Sequence, residues 1–370
     1  MPSKIKLLYV TNQICGAAGL ERVLSIKARL LAEAYNYEVH IITLNQGNTE
    51  LFYDFGTNIK FHDLSLSGPP IKYIRQYIKQ FKSKVYSIEP DVISVCDDGL
   101  KAFFLPFILN KPCPMVYERH VSKEIENTAD KFNLLKWIKK EVTYRLMYLG
   151  GKQYNKFVVL TKGNLKEWPL KNLKVISNPL SFSKDVTKSP LDKKIVLAVG
   201  RQDFQKGYDR LLDAWREVIK TNPLWELHIY GKKDYTLHLD TLSENYNIGK
   251  SVHFFDPIKN ISDAYQNASI YVMSSRYEGF GMVLIEAMIH GLPCVSFNCP
   301  HGPSDIIDHN KNGLLVENGN IKSLAQSITK LMNNVNTRKQ MGSEAIDKAL
   351  VFSPEIILEQ WHKLFKSLIP

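Results

Sequence analysis

Twice in its second half the chain runs from a short apolar strand, through a glycine-bearing loop, directly into a helix. That order narrows the choice of fold more than any other feature. In the later instance Ile270-Tyr-Val-Met273 is apolar and β-prone, and Glu278-Gly-Phe-Gly281 forms the loop. Met282-Val-Leu-Ile-Glu-Ala-Met-Ile-His290 then reads as a buried helix stopped by Gly291 and Pro293. Such a helix start presents unpaired N–H groups and the positive end of the helix dipole, which together favour a phosphate. Two carboxylates bracket it. Glu278 lies in the loop and can face a ligand, and Glu286 lies a turn into the helix and can accept hydrogen bonds from hydroxyls. Phosphate donors beside two hydroxyl acceptors suit a nucleotide sugar.

In the earlier instance Ile195-Val-Leu-Ala-Val199 ends at Gly200, and Arg201 and Lys206-Gly207 follow in the loop. The next helix carries Leu211, Leu212, Trp215, Val218 and Ile219 on one face. Arg201 and Lys206 therefore lie at the carboxyl end of a strand, where open α/β sheets bind ligands. A planar guanidinium and a mobile ammonium can together neutralise a diphosphate.

The same alternation covers the rest of the chain. Strands are expected at 4–10, 39–44, 91–95, 115–119, 156–160 and 174–176, then at 195–199, 225–230, 252–255, 269–273, 293–297 and 314–316. Helices between them predict parallel, doubly wound α/β sheets. A polar stretch after Asn178-Pro-Leu divides the rhythm, giving a first domain over 1–178, a linker over 179–193 and a second domain over 194–353. A last helix, 354–370, follows Ser353 as its N-cap.

The Gly200-Arg201…Lys206-Gly207 loop, the run Ser274-Ser-Arg-Tyr-Glu-Gly-Phe-Gly…Glu-Ala-Met, Gly291-Leu-Pro, Ser304-Asp-Ile-Ile and Asn312-Gly-Leu-Leu-Val316 together resemble the retaining glycosyltransferases of family four. The resemblance covers most of residues 195–320 in order and spacing, and continues more weakly through the first half. It implies the GT-B fold, two Rossmann-like domains facing each other across a cleft, with helix 354–370 packing back on the first. It also implies a donor site made of Gly200, Arg201, Lys206, Glu278, Gly279, Phe280, Gly281, Met282 and Glu286. Gly16 and Gly19 occupy the family's first glycine-rich loop, although Ala17 and Ala18 stand where further glycines are usual. His120, after the strand Met115–Arg119, falls where the family places a group touching the donor sugar or acceptor. Arg201, Lys206, Glu278 and His120 are the expected catalytic set.

Bulk properties fit. A chain of 370 residues and 42.4 kDa suits two domains, and 44% hydrophobic with 23% charged residues is ordinary for a soluble globular protein. The five cysteines are odd in number and form no CxxC pair, which points to a reduced, cytoplasmic protein without a zinc site. Asp97-Asp98 lacks D-x-D spacing, so no metal and no cofactor are expected beyond the donor as co-substrate. No run is apolar for long enough to span a bilayer, and no secretory signal opens the chain.

Residues 1–180 hold 26 Lys and Arg against 16 Asp and Glu, and residues 181–370 hold 22 against 21, so nearly all of the net +11 is N-terminal. It concentrates in two amphipathic helices, 71–85 and 131–148, which can dock peripherally on an anionic inner membrane face. Their ordinary alternative is a Rossmann helix with its lysines in water. The expected partners are a nucleotide-sugar donor, UDP first among the nucleotides, and a glycan or lipid-diphosphate-linked acceptor. Hexose or N-acetylhexosamine transfer in polysaccharide biosynthesis is the expected activity. A non-hydrolysing nucleotide-sugar epimerase of GT-B fold and a basic nucleic-acid-binding protein are the rivals.

Overall fold

The computed structural model describes residues 4–123, 134–258 and 260–369. They divide into two compact units, one of residues 1–181 with 354–370 and the other of residues 182–353.

The first unit is built on β1 (Lys6–Val10), β2 (Glu38–Leu44), β3 (Ile59–Leu64), β4 (Val92–Val95), β5 (Met115–Glu118), β6 (Lys156–Val159) and β7 (Leu173–Val175). All its described pairings are parallel, in the order β3-β2-β1-β4-β5-β6-β7. The second is built on β8 (Ile195–Val199), β9 (Glu226–Tyr230), β10 (Val252–Phe255), β11 (Ile270–Met273), β12 (Cys294–Asn298) and β13 (Gly313–Glu317). Its order is β10-β9-β8-β11-β12-β13, again parallel. Helices lie on both faces of such sheets, which is why β4 and β11 are buried at every position and read as continuous apolar runs.

One strand breaks that pattern. β3, Ile-Lys-Phe-His-Asp-Leu, carries three polar residues in six and falls outside the expected strands. It is an edge strand, paired among the described residues only with β2, so half of its length meets water and the apolar signal fades. The expected helix 71–85 extends over Pro70–Ile88, and the expected helix 131–148 is found as Leu134–Gly151, with residues 131–133 outside the described ones.

The terminal helix Pro354–Leu368 belongs to the first unit. Its Ile357, Leu358, Trp361, Leu364 and Phe365 join Leu24, Ala28 and Leu31 of helix Gly19–Ala34 in one core. Tyr35 donates to Glu359 (3.1 Å), and Tyr37 Oη meets His362 Nδ1 at 3.0 Å. Of the expected linker 179–193, residues 182–193 pack within the second unit. Ser189 N donates to His290 O (2.8 Å), and Arg338 donates to Leu191 O (3.3 Å).

In the second unit Trp215, Leu211 and Leu212 of helix Tyr208–Thr221 fill one face of the sheet with Leu324 and Ile328 of helix Ile321–Met332. Helix Met282–Ile289 lies against helix Val335–Leu350. In each unit the strand order reverses beside the first strand, between β1 and β4 and between β8 and β11. The loops leaving the carboxyl ends of those strands are where ligands enter doubly wound sheets.

Candidate active site

The loops after β8 and β11 meet at that reversal and are laced together by hydrogen bonds. Arg276 N donates to Gln205 O (2.8 Å), Ser274 Oγ donates to Lys206 O (2.9 Å), and Gln205 Nε2 donates to Tyr277 O (3.1 Å). Arg276 does most of the clamping. Its guanidinium grips Asp209 with two bonds of 2.9 and 2.6 Å, donates to Phe204 O (2.7 Å) and lies 3.9 Å over the Phe204 ring. Burial raises the Asp209 pKa, but the Arg276 hydrogen bonds and charge outweigh it and hold the carboxyl below its usual range. Gly207 enables the approach: at φ 65° a Cβ there would lie 2.4 Å from Ser274 O.

At the centre, Lys206 Nζ donates to Glu278 Oε1 (2.7 Å), which also accepts from Ser275 Oγ (2.6 Å). The lysine side chain is 14% exposed and the glutamate 7%, so the pair is mostly but not wholly withdrawn from water. Glu278 is fixed by its backbone as well, since its N donates to Pro300 O (2.7 Å) and its O accepts from His301 N (3.0 Å). Burial and then the Glu278 charge push the Tyr208 hydroxyl and the Cys299 thiol upward, so both are neutral neighbours. Tyr208 donates to Gly200 O at 3.3 Å.

Beside the pair the helix Met282–Ile289 begins at Gly281, whose φ is 95° and which carries no side-chain cap. Its first-turn N–H groups therefore face the carboxyl ends of the strands. Gly302 holds the neighbouring loop against it, because a Cβ there would lie 2.0 Å from Phe280 O.

Lys206, Glu278, Gly200, Gly279, Gly281 and Met282 are thus brought to one place. Arg201 stands at its rim, 64% exposed, paired with Asp203 (3.0 Å) and Gln205 (3.1 Å). Glu286 is buried in its helix, where Oε2 accepts from Tyr265 Oη (3.1 Å). Phe280 is a core residue, edge-on to Phe352 at 5.5 Å, so its backbone is the part that borders the site. Sequence reasoning missed Ser275, Arg276, Asp209 and Tyr265. The Arg276–Asp209 clamp spans 67 positions, and nothing local announces it.

Gly16, Gly19 and His120 belong to the first unit. Gly19 is the first residue of its helix, and a Cβ there would meet nothing within 4 Å, so packing alone does not require glycine at that position. A Cβ at Gly16 would press on the Glu21 carboxylate at 2.7 Å. His120 is held inward by Nε2, 3.2 Å from Glu118 Oε2. That glutamate also accepts from Ser94 Oγ (2.6 Å) and from the buried Lys27. Burial raises the Glu118 pKa, yet Lys27 and His120 overcome it and bring the carboxyl down to about 2.

No described helix is long and apolar enough to cross a membrane. Residues 181–348 match the family model of glycosyl transferases group 1. The chain is 28% identical to an uncharacterized glycosyltransferase of Haemophilus influenzae, over 96% of this chain and 98% of that one. It is also 28% identical to the amylovoran biosynthesis glycosyltransferase AmsD of Erwinia amylovora, over 97% and 99%. Among solved structures it resembles Staphylococcus aureus TarM bound to fondaparinux, α-GlcNAc-glycerol and UDP, with a TM-score of 0.80, 18% identity and coverage of 98% and 99%. The fold is accordingly of the two-domain GT-B type. Over residues 181–348 the chain is thus similar to the glycosyl transferases group 1 family.

Proposed function

We propose that this protein is a retaining glycosyltransferase that moves a hexose or N-acetylhexosamine from a UDP-sugar to a glycan or lipid-diphosphate-linked acceptor in polysaccharide assembly. The observation that carries the reading is the Lys206–Glu278 pair set beside an uncapped helix start at the strand-order reversal. The site offers a mobile cation, a hydroxyl acceptor and a row of N–H donors within one loop cluster. The AmsD name and the UDP bound to TarM point the same way. The family match leaves the epimerase and nucleic-acid readings without support.

In this reading Lys206, Arg201 and the amides of Gly279–Met282 neutralise the diphosphate, and Glu286 takes the ribose hydroxyls. Donor entry separates Lys206 from Glu278, freeing the cation for phosphate and the carboxylate for sugar hydroxyls. Phe280 contributes its backbone, and Gly200 keeps the β8 loop close. The acceptor hydroxyl attacks on the face that the diphosphate leaves. Its proton passes to the departing phosphate oxygen as the new glycosidic bond forms, and configuration is retained. The cations do the work that a divalent ion would otherwise do, so no metal is required. His120, Gly16 and Gly19 keep the roles that the resemblance implies, contact with sugar or acceptor.

Peripheral membrane contact is part of the proposal. Leu135, Trp137, Ile138, Val142 and Leu149 are exposed on helix Leu134–Gly151, among its cationic residues. Vesicles with anionic lipid should retain the protein and neutral vesicles should not.

Calorimetry with UDP, GDP and ADP tests the core of the reading. UDP should bind selectively, and Glu286→Ala should weaken it. Absence of any nucleotide binding would overturn it.

A further inference from the structure

The second sheet carries one half-open patch that the donor reading does not use. Leu227, Ile229 and Val252 point into the core beneath helix Tyr208–Thr221. Strand alternation therefore turns Glu226, His228 and Tyr230 of β9, with His253 and Phe255 of β10, to the opposite face. That face is only partly covered: the His228, His253 and Glu226 side chains are 17%, 39% and 49% exposed.

Three of these residues form a chelating set. His253 stands in register with His228 on the adjacent parallel strand, and Glu226 lies two residues before His228 on the same face. His228 Nε2 is 2.8 Å and His253 Nε2 is 3.6 Å from the one oxygen Glu226 Oε2. The three ligand atoms all lie within 4.8 Å of one another. In a tetrahedral zinc site, with bonds of about 2.0–2.2 Å, neighbouring ligand atoms sit ~3.3 Å apart. The separations found here bracket that value, so small side-chain rotations suffice. The imidazoles are also restrained, the two rings meeting edge to face at 5.2 Å and His228 lying 5.2 Å from Phe255.

We propose that Glu226, His228 and His253 bind a divalent transition-metal ion of the zinc class. Two imidazoles and one carboxylate favour zinc, cobalt, nickel or copper over magnesium, which prefers oxygen ligands alone. The fourth position is left to water on the open side. Metal entry replaces the Glu226–His228 hydrogen bond, and any proton between them passes to solvent.

The ion serves as a staple and takes no part in transfer. β10 is the edge of the sheet, joined to it among the described residues only through β9. A ligand from each strand locks that edge, whose carboxyl end is tied to the donor loops. There Gly231 N donates to Phe255 O (3.0 Å) and Gly200 N donates to Tyr230 O (2.9 Å). The site lies towards the amino ends of the strands, with Glu226 ~13 Å of strand length from Tyr230. The metal is thus separate from the diphosphate chemistry, and the inference does not depend on the donor reading.

The test uses the full, tag-free chain stripped with EDTA, titrated with zinc chloride by calorimetry and followed by thermal melting. One Zn²⁺ per chain should bind, and saturating zinc should raise Tm by at least ~3 °C. Magnesium chloride should do neither. His253→Gln alone should weaken binding at least ~10-fold, since even outer-shell changes cost that much. His228→Gln with His253→Gln should abolish both effects while keeping the metal-free melting and UDP binding of the parent. His253 is the more exposed histidine, so its single variant keeps the test valid should the double variant misfold. Absence of zinc binding in the parent would overturn the proposal. So would undiminished binding in the histidine variants, or magnesium binding as tight as zinc.

Discussion

Each half of the protein holds a lysine–glutamate pair beside the reversal of its sheet, and the two pairs differ in what surrounds them. Lys27, on the helix after β1, meets Glu118 at the end of β5, and both side chains are sealed, at 2% and 1% exposed. The Trp361 ring covers the ammonium at 3.6 Å, and Ser94 and His120 occupy the rest of the carboxylate. Lys206 and Glu278 lie in loops, with 14% and 7% exposure, beside an uncapped helix start. The same two functional groups are fastened in one unit and exchangeable in the other. A buried pair enclosed by partners cannot be opened without leaving a charge in a dry interior, whereas a pair in loops at strand ends can trade its partner for a ligand.

The largest effect should come from breaking the sealed pair. Glu118→Ala leaves Lys27 charged beneath Trp361 and should destabilise the protein by about 3–5 kcal/mol, measured by urea unfolding. Lys206→Ala should cost clearly less in the same measurement, because Glu278 keeps the Ser275 hydrogen bond and the pair is not wholly closed to water. It should lower turnover at least ~100-fold. A stability loss as large as that of Glu118→Ala would erase the distinction between the pairs. Arg201→Ala, at the rim, should lower turnover at least ~10-fold, or ~1.4 kcal/mol of barrier, with unfolding unchanged. Near-normal turnover would remove it from the leaving-group assignment.

The smallest effect concerns acid. The Glu118 pKa is held down at about 2 in the folded protein. Its stabilising contribution is thus complete above the usual carboxylate range and is lost as pH falls towards 2. The stability gap between the parent and Glu118→Gln should therefore be widest above pH ~5 and shrink steadily below pH ~4. A gap independent of pH would mean that the carboxylate charge is not what stabilises the fold there.

Much of the second unit is legible in the sequence because its strands are buried on both faces and bounded by glycine loops. β8 is expected at its observed limits, and β11 within one residue of them. β3 is not, because an edge strand half in water carries no continuous apolar run. The gathering of Lys206, Glu278 and the helix start follows from strand–loop–helix order. Their direct ion pair does not, nor does the inward turn of His120 or the burial of Glu286 against Tyr265.

The amphipathic pattern of the terminal helix likewise does not say that Trp361 covers Lys27. Hydrophobic period, glycine position and charge spacing act over a few residues, and they determined the elements, their order and the chemistry available at each loop. Which carboxylate meets which cation across 72 or 91 positions was decided only when parallel strands set those loops side by side. Long-range pairing depends on sheet order and burial, and neither is written in any local run of residues.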